Sequence, residues 1–374
     1  MSALIRAFLL GGDGPSVAIK DTIDIAGMPT TGASRALADA APAQQHAQVV
    51  QRLLDAGWKI IGKANMHELA FGMTGINDYT GTPVNPQDAT RIPGGSSSGS
   101  ASAVGLGLAD AALGTDTGGS IRGPAACCGV AGFKPTFGRV SRRGIAPAES
   151  TLDCVGPFAR DVRTMVETMS VIAPGFDKDA ALKNMTALRV GAANVDAQAD
   201  LLAAVARAPQ RAGFTSQAIE LAGLAEAFQA GLAIINAETW AAFGHLVDSG
   251  KLGADLEARL RAASLTTPDQ VSAAERVRRR FTEAVDRALD SVDVIVMPTL
   301  PALPITLEDA RRGVSVIAMS ALIRPFNLSG HPALSLPLPI DGAPLKAGLQ
   351  IVGRHGADEQ VCAVAAAFEA ALAG

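Results

Sequence analysis

The chain has 374 residues, of which 48% are hydrophobic and 18% charged, and its formal net charge is −4. This composition supplies a large apolar core and excludes a predominantly disordered chain. The slightly acidic balance and the 4% aromatic content argue against a nucleic-acid-binding surface. No run of 18 apolar residues is free of Gly, Pro or charge, so the sequence predicts no membrane span. We therefore expect neither nucleic acid nor a membrane as a partner.

Cysteine and histidine usage points away from metal and disulfide chemistry. Two of the four cysteines are adjacent, at Cys127 and Cys128, and the set forms neither a disulfide framework nor a C-x-x-C metal pair. The five histidines lack the spacing of a zinc site, and the sequence contains no H-E-x-x-H motif. We expect no metal, no cofactor and a cytoplasmic location.

Predicted strands and helices alternate along the chain. The first half is expected to contain a helix near residues 1–12, a strand at 15–20, a helix at 44–56, a strand at 58–62, a helix at 100–108 and a strand at 110–115. The second half is expected to contain helices at 159–172, 197–212 and 358–372, and strands at 188–193, 292–297, within 327–337 and at 347–352. This order predicts an α/β fold, with a single large mixed β-sheet flanked by helices.

We interpret residues 1–374 as a single domain, because no linker divides the sequence convincingly. Residues 221–290 are mainly helical in pattern and rich in Ala, Arg and Glu. We expect this segment to be an insertion or cap on the sheet rather than a wall of the active site.

Two glycine pairs run directly into serine, at residues 94–96 and 118–120, and the two serines lie 24 residues apart. Glycine permits a positive φ and lets backbone N–H groups approach a bound atom closely. A serine that ends such a loop can present its hydroxyl beside those N–H groups, which is the arrangement of a nucleophile next to an oxyanion hole. A flexible Gly/Ser linker is the alternative, but apolar patches and the polar Thr-Asp-Thr at 115–117 interrupt the stretch.

Lys20 ends the predicted strand at 15–20 and follows three apolar residues directly. Most lysines are solvated surface charges, but this position favours partial burial, which lowers the pKa of a lysine and makes it a usable base. The remaining candidates for chemistry are the two serines and this lysine.

These segments resemble those of the amidase signature family, and the resemblance runs from about Val17 to the end of the chain. The central matches are V-A-I-K-D at 17–21, P-G-G-S-S at 93–97, G-T-D-T-G-G-S-I-R at 114–122 and G-V-A-G-F-K-P-T at 129–136. The segments at 327–335 and 348–353 resemble the C-terminal segments of the family. The resemblance implies the amidase signature fold and cleavage of an amide C–N bond without a cofactor.

The resemblance also implies a role for each residue of the catalytic set. Ser120 would be the nucleophile, Ser96 a bridging serine in a cis peptide that relays protons, and Lys20 the base. The family oxyanion hole would correspond to the backbone N–H groups of Thr117, Gly118, Gly119 and Ser120. We further expect Asp116 and Arg122 to brace this loop, and Ser97 and Ser98 to serve as hydrogen-bonding scaffold. The chain departs from the family in two respects: family members usually carry a further helical segment before their lysine, and often have glycine where this chain has Ser98.

The substrate is the feature that the sequence determines least. The loop at 65–85 and the segment at 323–326 are expected to line a pocket, with Gly72, Met73, Thr74 and Arg324 as substrate-binding candidates. The leading hypothesis is an amidohydrolase for a small soluble carboxylic amide, and the resemblance allows a homodimer. The alternatives are the amidase-like subunit of a glutamine-dependent amidotransferase complex and a non-catalytic binding protein that keeps the fold. The intact set of Lys20, Ser96 and Ser120 argues against the last.

Overall fold

A computed structural model describes residues 3–372 of the chain, and within this range the strands form one 11-stranded mixed sheet. The strands are β1 (Leu4–Gly11), β2 (Ser16–Lys20), β3 (Lys59–Ala64), β4 (Ala111–Asp116), β5 (Ala131–Lys134), β6 (Cys154–Ala159), β7 (Arg189–Ala193), β8 (Thr215–Ile219), β9 (Val294–Pro298), β10 (Ala333–Leu338) and β11 (Ala347–Val352). Their order across the sheet is β1-β3-β2-β4-β6-β5-β10-β11-β9-β7-β8.

Parallel and antiparallel pairs occur in different parts of the sheet. Strand β2 runs parallel to both β3 and β4, and β7 runs parallel to both β8 and β9. The pairs between these two groups, from β4–β6 to β11–β9, and the edge pair β1–β3 are antiparallel. The predicted α/β fold with a mixed sheet is therefore confirmed.

Helices flank the sheet along most of the chain. They are α1 (Gln48–Asp55), α2 (Ser98–Gly105), α3 (Arg122–Cys128), α4 (Val162–Ile172), α5 (Lys178–Ala181), α6 (Ala199–Arg211), α7 (Leu224–Phe243), α8 (Ala254–Ala263), α9 (Pro268–Ser291), α10 (Leu307–Arg311), α11 (Arg324–Leu328) and α12 (Asp358–Leu372). None of the helices within residues 3–372 combines the length and the apolar character that crossing a bilayer requires.

Helix α4 shows how the sequence pattern produces the packing. Its start is fixed by Asp161, whose carboxylate accepts a hydrogen bond from the Thr164 N–H. Its apolar residues recur at three- and four-residue intervals, so one face of the helix packs into the core beside the sheet. Burying each such side chain stabilises the fold by about 2 kcal/mol. The buried positions on this face are Val162, Met165, Val166, Met169 and Ile172.

The predicted first helix is wrong where the structure describes it, because Leu4–Gly11 is an edge strand; Met1 and Ser2 lie outside the described residues. Strand β1 pairs antiparallel with β3 and packs Phe8 and Leu10 against the core, while Leu9 is exposed. A short apolar run does not distinguish a strand from a helix by itself. Residues 4–11 form a strand here because β3 has a free edge, and pairing gives the backbone N–H and C=O groups of both strands their partners.

Candidate active site

Lys20 is the last residue of β2, and the neighbouring strand β4 runs parallel to it and ends at Asp116. The second Gly-Gly-Ser segment follows β4 directly. Carboxyl ends of adjacent parallel strands lie at the same edge of a sheet, which is where α/β proteins place their ligand sites. The sheet therefore brings Lys20 and the loop at 117–120 to the same edge.

The Lys20 side chain is buried and has three polar neighbours. Its Nζ lies 2.8 Å from Ser96 Oγ, 2.8 Å from Thr115 Oγ1 and 3.4 Å from the Thr115 carbonyl oxygen. A neutral amine has two hydrogens and one lone pair, so it can donate to the two Thr115 oxygens and still accept the Ser96 hydroxyl proton. Thr115 was not singled out from the sequence, although it lies inside the matched segment at 114–122.

The environment of Lys20 favours the neutral amine. Burial lowers the pKa of Lys20 to about 7, against the opposing influence of the Asp153 and Asp116 carboxylates, which favour the ammonium form. An ordinary lysine remains protonated far above this pH. Near neutral pH, a substantial fraction of Lys20 can therefore accept a proton.

The first Gly-Gly-Ser segment is held by backbone contacts on two sides. The Ser96 carbonyl accepts a hydrogen bond from the His67 N–H at 3.0 Å, and the Ser97 N–H donates to the Ser120 carbonyl at 3.3 Å. Ser97 Oγ donates to the Thr115 carbonyl at 3.2 Å. The Gly95–Ser96 peptide bond is cis, as the resemblance implied. These contacts place the two serine loops side by side.

The second Gly-Gly-Ser loop is organised by the buried carboxylate of Asp116. Its Oδ1 accepts the Gly119 N–H at 2.7 Å, and its Oδ2 accepts the Ile121 N–H at 3.2 Å. Burial alone would raise the pKa of Asp116, but the ion pair with Arg122 and hydrogen bonds from Arg122 and Asn327 outweigh it and hold the pKa well below its usual range. The carboxylate is therefore ionised at neutral pH.

This contact changes the expected composition of the oxyanion hole. The Gly119 N–H is already engaged with Asp116, so it is not available to a developing oxyanion in this structure. The candidate donors that remain from the expected set are the N–H groups of Thr117, Gly118 and Ser120. The sequence motif could not separate these members, because the bond depends on how the Asp116 side chain folds back over its own loop.

Arg122 connects the same loop to distant parts of the chain. Its guanidinium contacts Asp116 through Nε and Nη2, both at 3.0 Å, and its Nη1 donates to the Ile323 carbonyl and to Gln350 Oε1, both at 2.8 Å. Nη2 also donates to Asn327 Oδ1 at 2.6 Å. All five N–H donors of the side chain are thus used, and the side chain is fully buried. The expected brace by Asp116 and Arg122 is present as an ion pair.

A second buried acid, Asp153, was not predicted. Its Oδ1 accepts the Thr117 hydroxyl at 2.9 Å, and its Oδ2 accepts Arg142 Nε at 3.1 Å. Burial raises the pKa of Asp153, while Arg142 and Lys20 favour its ionised form. Asp153 therefore contacts the loop beside Ser120 and also raises the pKa of Lys20. It lies outside the matched motifs, which is why the sequence did not single it out.

Ser120 opens onto a cavity of about 210 Å³. Three of the four substrate-binding candidates, Gly72, Met73 and Arg324, line it, whereas Thr74 faces a larger neighbouring cleft and lies 3.3 Å from His67 Nδ1. The remaining lining residues are Ala70, Phe71, Thr117, Gly118, Leu232, Ile235, Asn236, Arg259, Ala262, Val316 and Ile317.

The predicted helical segment takes part in this cavity, contrary to the expectation that it would not form a wall. Helix α7 supplies Leu232, Ile235 and Asn236 to the lining, and α8 supplies Arg259 and Ala262. A Cβ atom at Gly118 would come within 2.8 Å of Ile235 Cδ1. The segment is therefore packed against the loop that carries Ser120. Tertiary packing determines which of its residues form the wall, and no local sequence motif predicts that packing.

Arg324 is a buried cation at this cavity. Its Nη2 donates to Ser320 Oγ at 2.6 Å, its guanidinium lies over the Phe228 ring at 4.4 Å, and its Nε has no hydrogen-bond partner among residues 3–372. Burial lowers the pKa of Arg324 to about 10, so it is cationic at neutral pH. The lining of the cavity includes Arg259 as well but no acidic residue among the described part of the chain.

The larger cleft has a volume of about 820 Å³ and shares Arg259, Val316 and Ile317 with the Ser120 cavity. His67 and Tyr79 line it. Burial is the main reason that the pKa of His67 is lowered to about 4, so its ring is neutral. Tyr79 is half-exposed. The cleft therefore adjoins the cavity onto which Ser120 opens.

Comparison with known proteins extends over almost the whole chain. The sequence model of the Amidase family matches residues 13–362. The A subunit of glutamyl-tRNA(Gln) amidotransferase from Methanospirillum hungatei is 34% identical over 96% of this chain and 94% of the relative.

Two solved structures share the fold at 30% sequence identity. A crystal structure of an amidase has a TM-score of 0.86 and covers 96% of this chain and 84% of its own. The A subunit of the glutamyl-tRNA(Gln) amidotransferase of Thermotoga maritima has a TM-score of 0.83 and covers 97% of this chain and 85% of its own. The chain therefore belongs to the amidase signature family, whose members are enzymes acting on carbon–nitrogen bonds.

Proposed function

We propose that this protein cleaves a carboxamide C–N bond through an acyl-enzyme on Ser120, with Ser96 relaying protons to Lys20. The observation that carries the proposal is the 2.8 Å contact between Lys20 Nζ and Ser96 Oγ in a buried setting that favours the neutral amine. A positioned lysine can replace histidine as the base of a serine nucleophile.

The reaction then proceeds in two stages. Lys20 accepts the Ser96 proton while Ser96 accepts the Ser120 proton, and Ser120 Oγ attacks the amide carbonyl. The backbone N–H groups that remain available, on Thr117, Gly118 and Ser120, stabilise the oxyanion, each by about 3 kcal/mol. The proton returns through Ser96 to the leaving nitrogen, the C–N bond breaks, and ammonia or an amine departs. Water, deprotonated by the same relay, hydrolyses the acyl ester and restores Ser120.

The charges at the Ser120 cavity support a substrate that carries a carboxylate. Arg324 is buried without an acidic partner among the described residues, whereas Arg259 on the same lining is already paired with Asp255 at 2.9 Å. A carboxylate in the cavity can pair with the guanidinium of Arg324, whose Nε has no hydrogen-bond partner among the described residues. The small volume of the cavity favours a compact acyl group such as the side-chain carboxamide of an amino acid.

The relatives favour the role of an amidotransferase component over that of a free-standing amidase. The relative from Methanospirillum hungatei and others at 33–35% identity are all A subunits of glutamyl-tRNA(Gln) amidotransferases. In that role, ammonia released from glutamine at Ser120 would be passed to a partner protein. The amidase among the solved structures keeps the free-standing alternative, hydrolysis of a small soluble amide, as the second candidate.

Ammonia release from matched amides tests both proposals. Glutamine and other carboxylate-bearing amides are compared with neutral amides of similar size, using the isolated chain. We expect the isolated chain to be slow, and a copurifying partner to raise glutamine turnover. High activity of the isolated chain on neutral amides would instead establish the free-standing amidase. A lack of ammonia release from every amide, with and without the partner, would contradict the chemistry itself.

Replacing Arg324 by glutamine is expected to raise the KM for carboxylate-bearing amides by about 10- to 100-fold, because a charged hydrogen bond contributes about 1.5–3 kcal/mol. The matched neutral amides should retain their KM. Initial rates across a concentration series measure both values. An equal rise for the two substrate classes would show that Arg324 acts only through packing.

The pH dependence of kcat/KM should report the state of Lys20. Activity requires the neutral amine, so we expect it to fall tenfold per pH unit below an apparent pKa of about 7. The Asp153 carboxylate raises the pKa of Lys20; Asp153→Asn removes that charge and should move the acid limb to lower pH. The asparagine amide oxygen can still accept the Thr117 hydroxyl. If Asp153→Asn leaves the acid limb at the same pH, the Asp153 carboxylate does not affect the pKa of Lys20.

A further inference from the structure

Two histidines and one aspartate meet at a site that the proposed mechanism does not use. Asp286 lies on α9, His331 lies just before β10, and His355 lies just after β11. Nε2 of His331, Nδ1 of His355 and a carboxylate oxygen of Asp286 all lie within 4.8 Å of one another. The antiparallel pairing of β10 with β11 brings the two histidines together, and the packing of α9 adds Asp286.

The Asp286 carboxylate faces one nitrogen of each ring. Its Oδ1 lies 3.1 Å from His331 Nε2 and 3.7 Å from His355 Nδ1, and the two ring centroids are 3.8 Å apart. In a tetrahedral site with bonds of about 2.0–2.1 Å, neighbouring donor atoms are about 3.3 Å apart. Shifts of a few tenths of an ångström would bring the two Asp286 distances to this value, whereas the two stacked rings would have to turn apart until their centroids are about 5 Å from each other, so that both lone pairs point at one cation.

The opposite nitrogens of both rings are fixed by Ser329. His331 Nδ1 lies 3.0 Å from Ser329 Oγ, and His355 Nε2 lies 2.8 Å from the Ser329 carbonyl oxygen. A carbonyl oxygen only accepts, so Nε2 is the donating nitrogen of His355, and Nδ1 is the nitrogen on the side of Asp286 that a metal would use.

From this geometry we infer that Asp286, His331 and His355 form a site for a divalent transition-metal cation of the Zn²⁺ type. Imidazole and carboxylate ligands suit such cations, and an outer hydrogen bond on each ligating histidine is the usual way in which the ring is oriented. The fourth position would be taken by water. The exposed fractions of the Asp286 and His355 side chains, 52% and 39%, leave a path for the metal to enter.

Arg354, which directly precedes His355 in the sequence, is paired elsewhere. Arg354 Nη1 pairs with Asp290 at 3.1 Å, and its Nη2 donates to the Leu289 carbonyl. A bound cation would connect α9 to the segments that begin β10 and follow β11. The site shares no residue with Lys20, Ser96 and Ser120, so the metal would stabilise the packing of α9 rather than take part in amide cleavage.

Zinc binding to the untagged full chain tests the inference. The protein is dialysed against a chelator, re-equilibrated with Zn²⁺ alone, and assayed for bound metal by elemental analysis and for thermal unfolding. We expect one Zn²⁺ per chain and a higher Tm with zinc than without. Asp286→Asn and His355→Ala should each weaken the affinity at least about tenfold and remove the rise in Tm.

Glu283→Gln is the matched control, because Glu283 is another exposed carboxylate on α9 that pairs only with Arg287 among the described residues, at 3.7 Å. This variant should bind zinc as the wild type does. Two results would overturn the inference: no retained zinc in the wild type, or equal retention in the Asp286 and His355 variants. Either would mean that Asp286 and His355 do not hold a metal.

Discussion

Replacement of Ser120 by alanine is expected to lower the rate of ammonia release by at least about 10⁴-fold. The variant lacks the oxygen that attacks the carbonyl, so no acyl-enzyme can form. The residual rate would come from substrate binding and the oxyanion-stabilising N–H groups alone. Single-turnover kinetics on an amide that the wild type cleaves, with trapping of the acyl group by hydroxylamine, measures both the rate and the intermediate.

Ser96 and Ser98 allow a serine that the proposed mechanism uses to be compared with one that it does not use. Ser96→Ala keeps the nucleophile but removes the proton relay, so a loss of about 10²- to 10⁴-fold is expected, the range of general acid–base catalysis. The expected hydrogen-bonding role is wrong for Ser98, which is buried and whose Oγ has no hydrogen-bond partner among residues 3–372. Ser98→Ala should therefore be nearly as active as the wild type. Undiminished activity in Ser120→Ala would refute the assigned nucleophile.

The sequence predicts the elements that carry the candidate site because their signals are local. The apolar run before Lys20 predicts a buried strand that ends in a cation, and β2 ends there. The alternation of strands and helices predicts the mixed sheet. Because β2 and β4 are parallel neighbours in it, their carboxyl ends lie at the same edge. The 2.8 Å contact between Lys20 and Ser96 also requires the long segment between β3 and α2, which brings Ser96 to the same edge.

What the sequence misses depends on contacts between distant segments. Gln350 lies 228 residues from Arg122 and accepts one of its N–H groups. Ile235 reaches the Gly118 loop only through the packing of α7. His331 and Asp286, 45 residues apart, become neighbours when α9 folds onto the sheet. Such pairs have no periodicity or spacing of their own, so an interpretation based on patterns assigns their residues to ordinary helices and loops.

Arg122→Ala is expected to lower the free energy of unfolding by about 3–5 kcal/mol, the cost of leaving one member of a buried ion pair without its partner. The Asp116 carboxylate would lose both guanidinium contacts, and the acceptors on Ile323, Asn327 and Gln350 would lose their donor. Urea unfolding, read as a shift of the midpoint at constant slope, measures the loss. Activity should fall as well, because Asp116 also holds the Gly119 N–H.

Two further substitutions show whether this loss comes from the geometry of the guanidinium. Arg122→Lys restores the charge but not the five-donor fork, so it should recover only part of the stability. Arg312→Ala removes a surface arginine that pairs with Glu308 at 2.7 Å while its side chain is 69% exposed; no measurable change is expected.

Asp116 is held ionised by Arg122, so its stabilising contribution is present above its ordinary pKa of about 4 and disappears as the pH falls through its lowered value. The stability gap between wild type and Arg122→Ala should therefore narrow in acid, and a gap independent of pH would mean that lost packing, rather than the Asp116–Arg122 ion pair, causes the destabilisation.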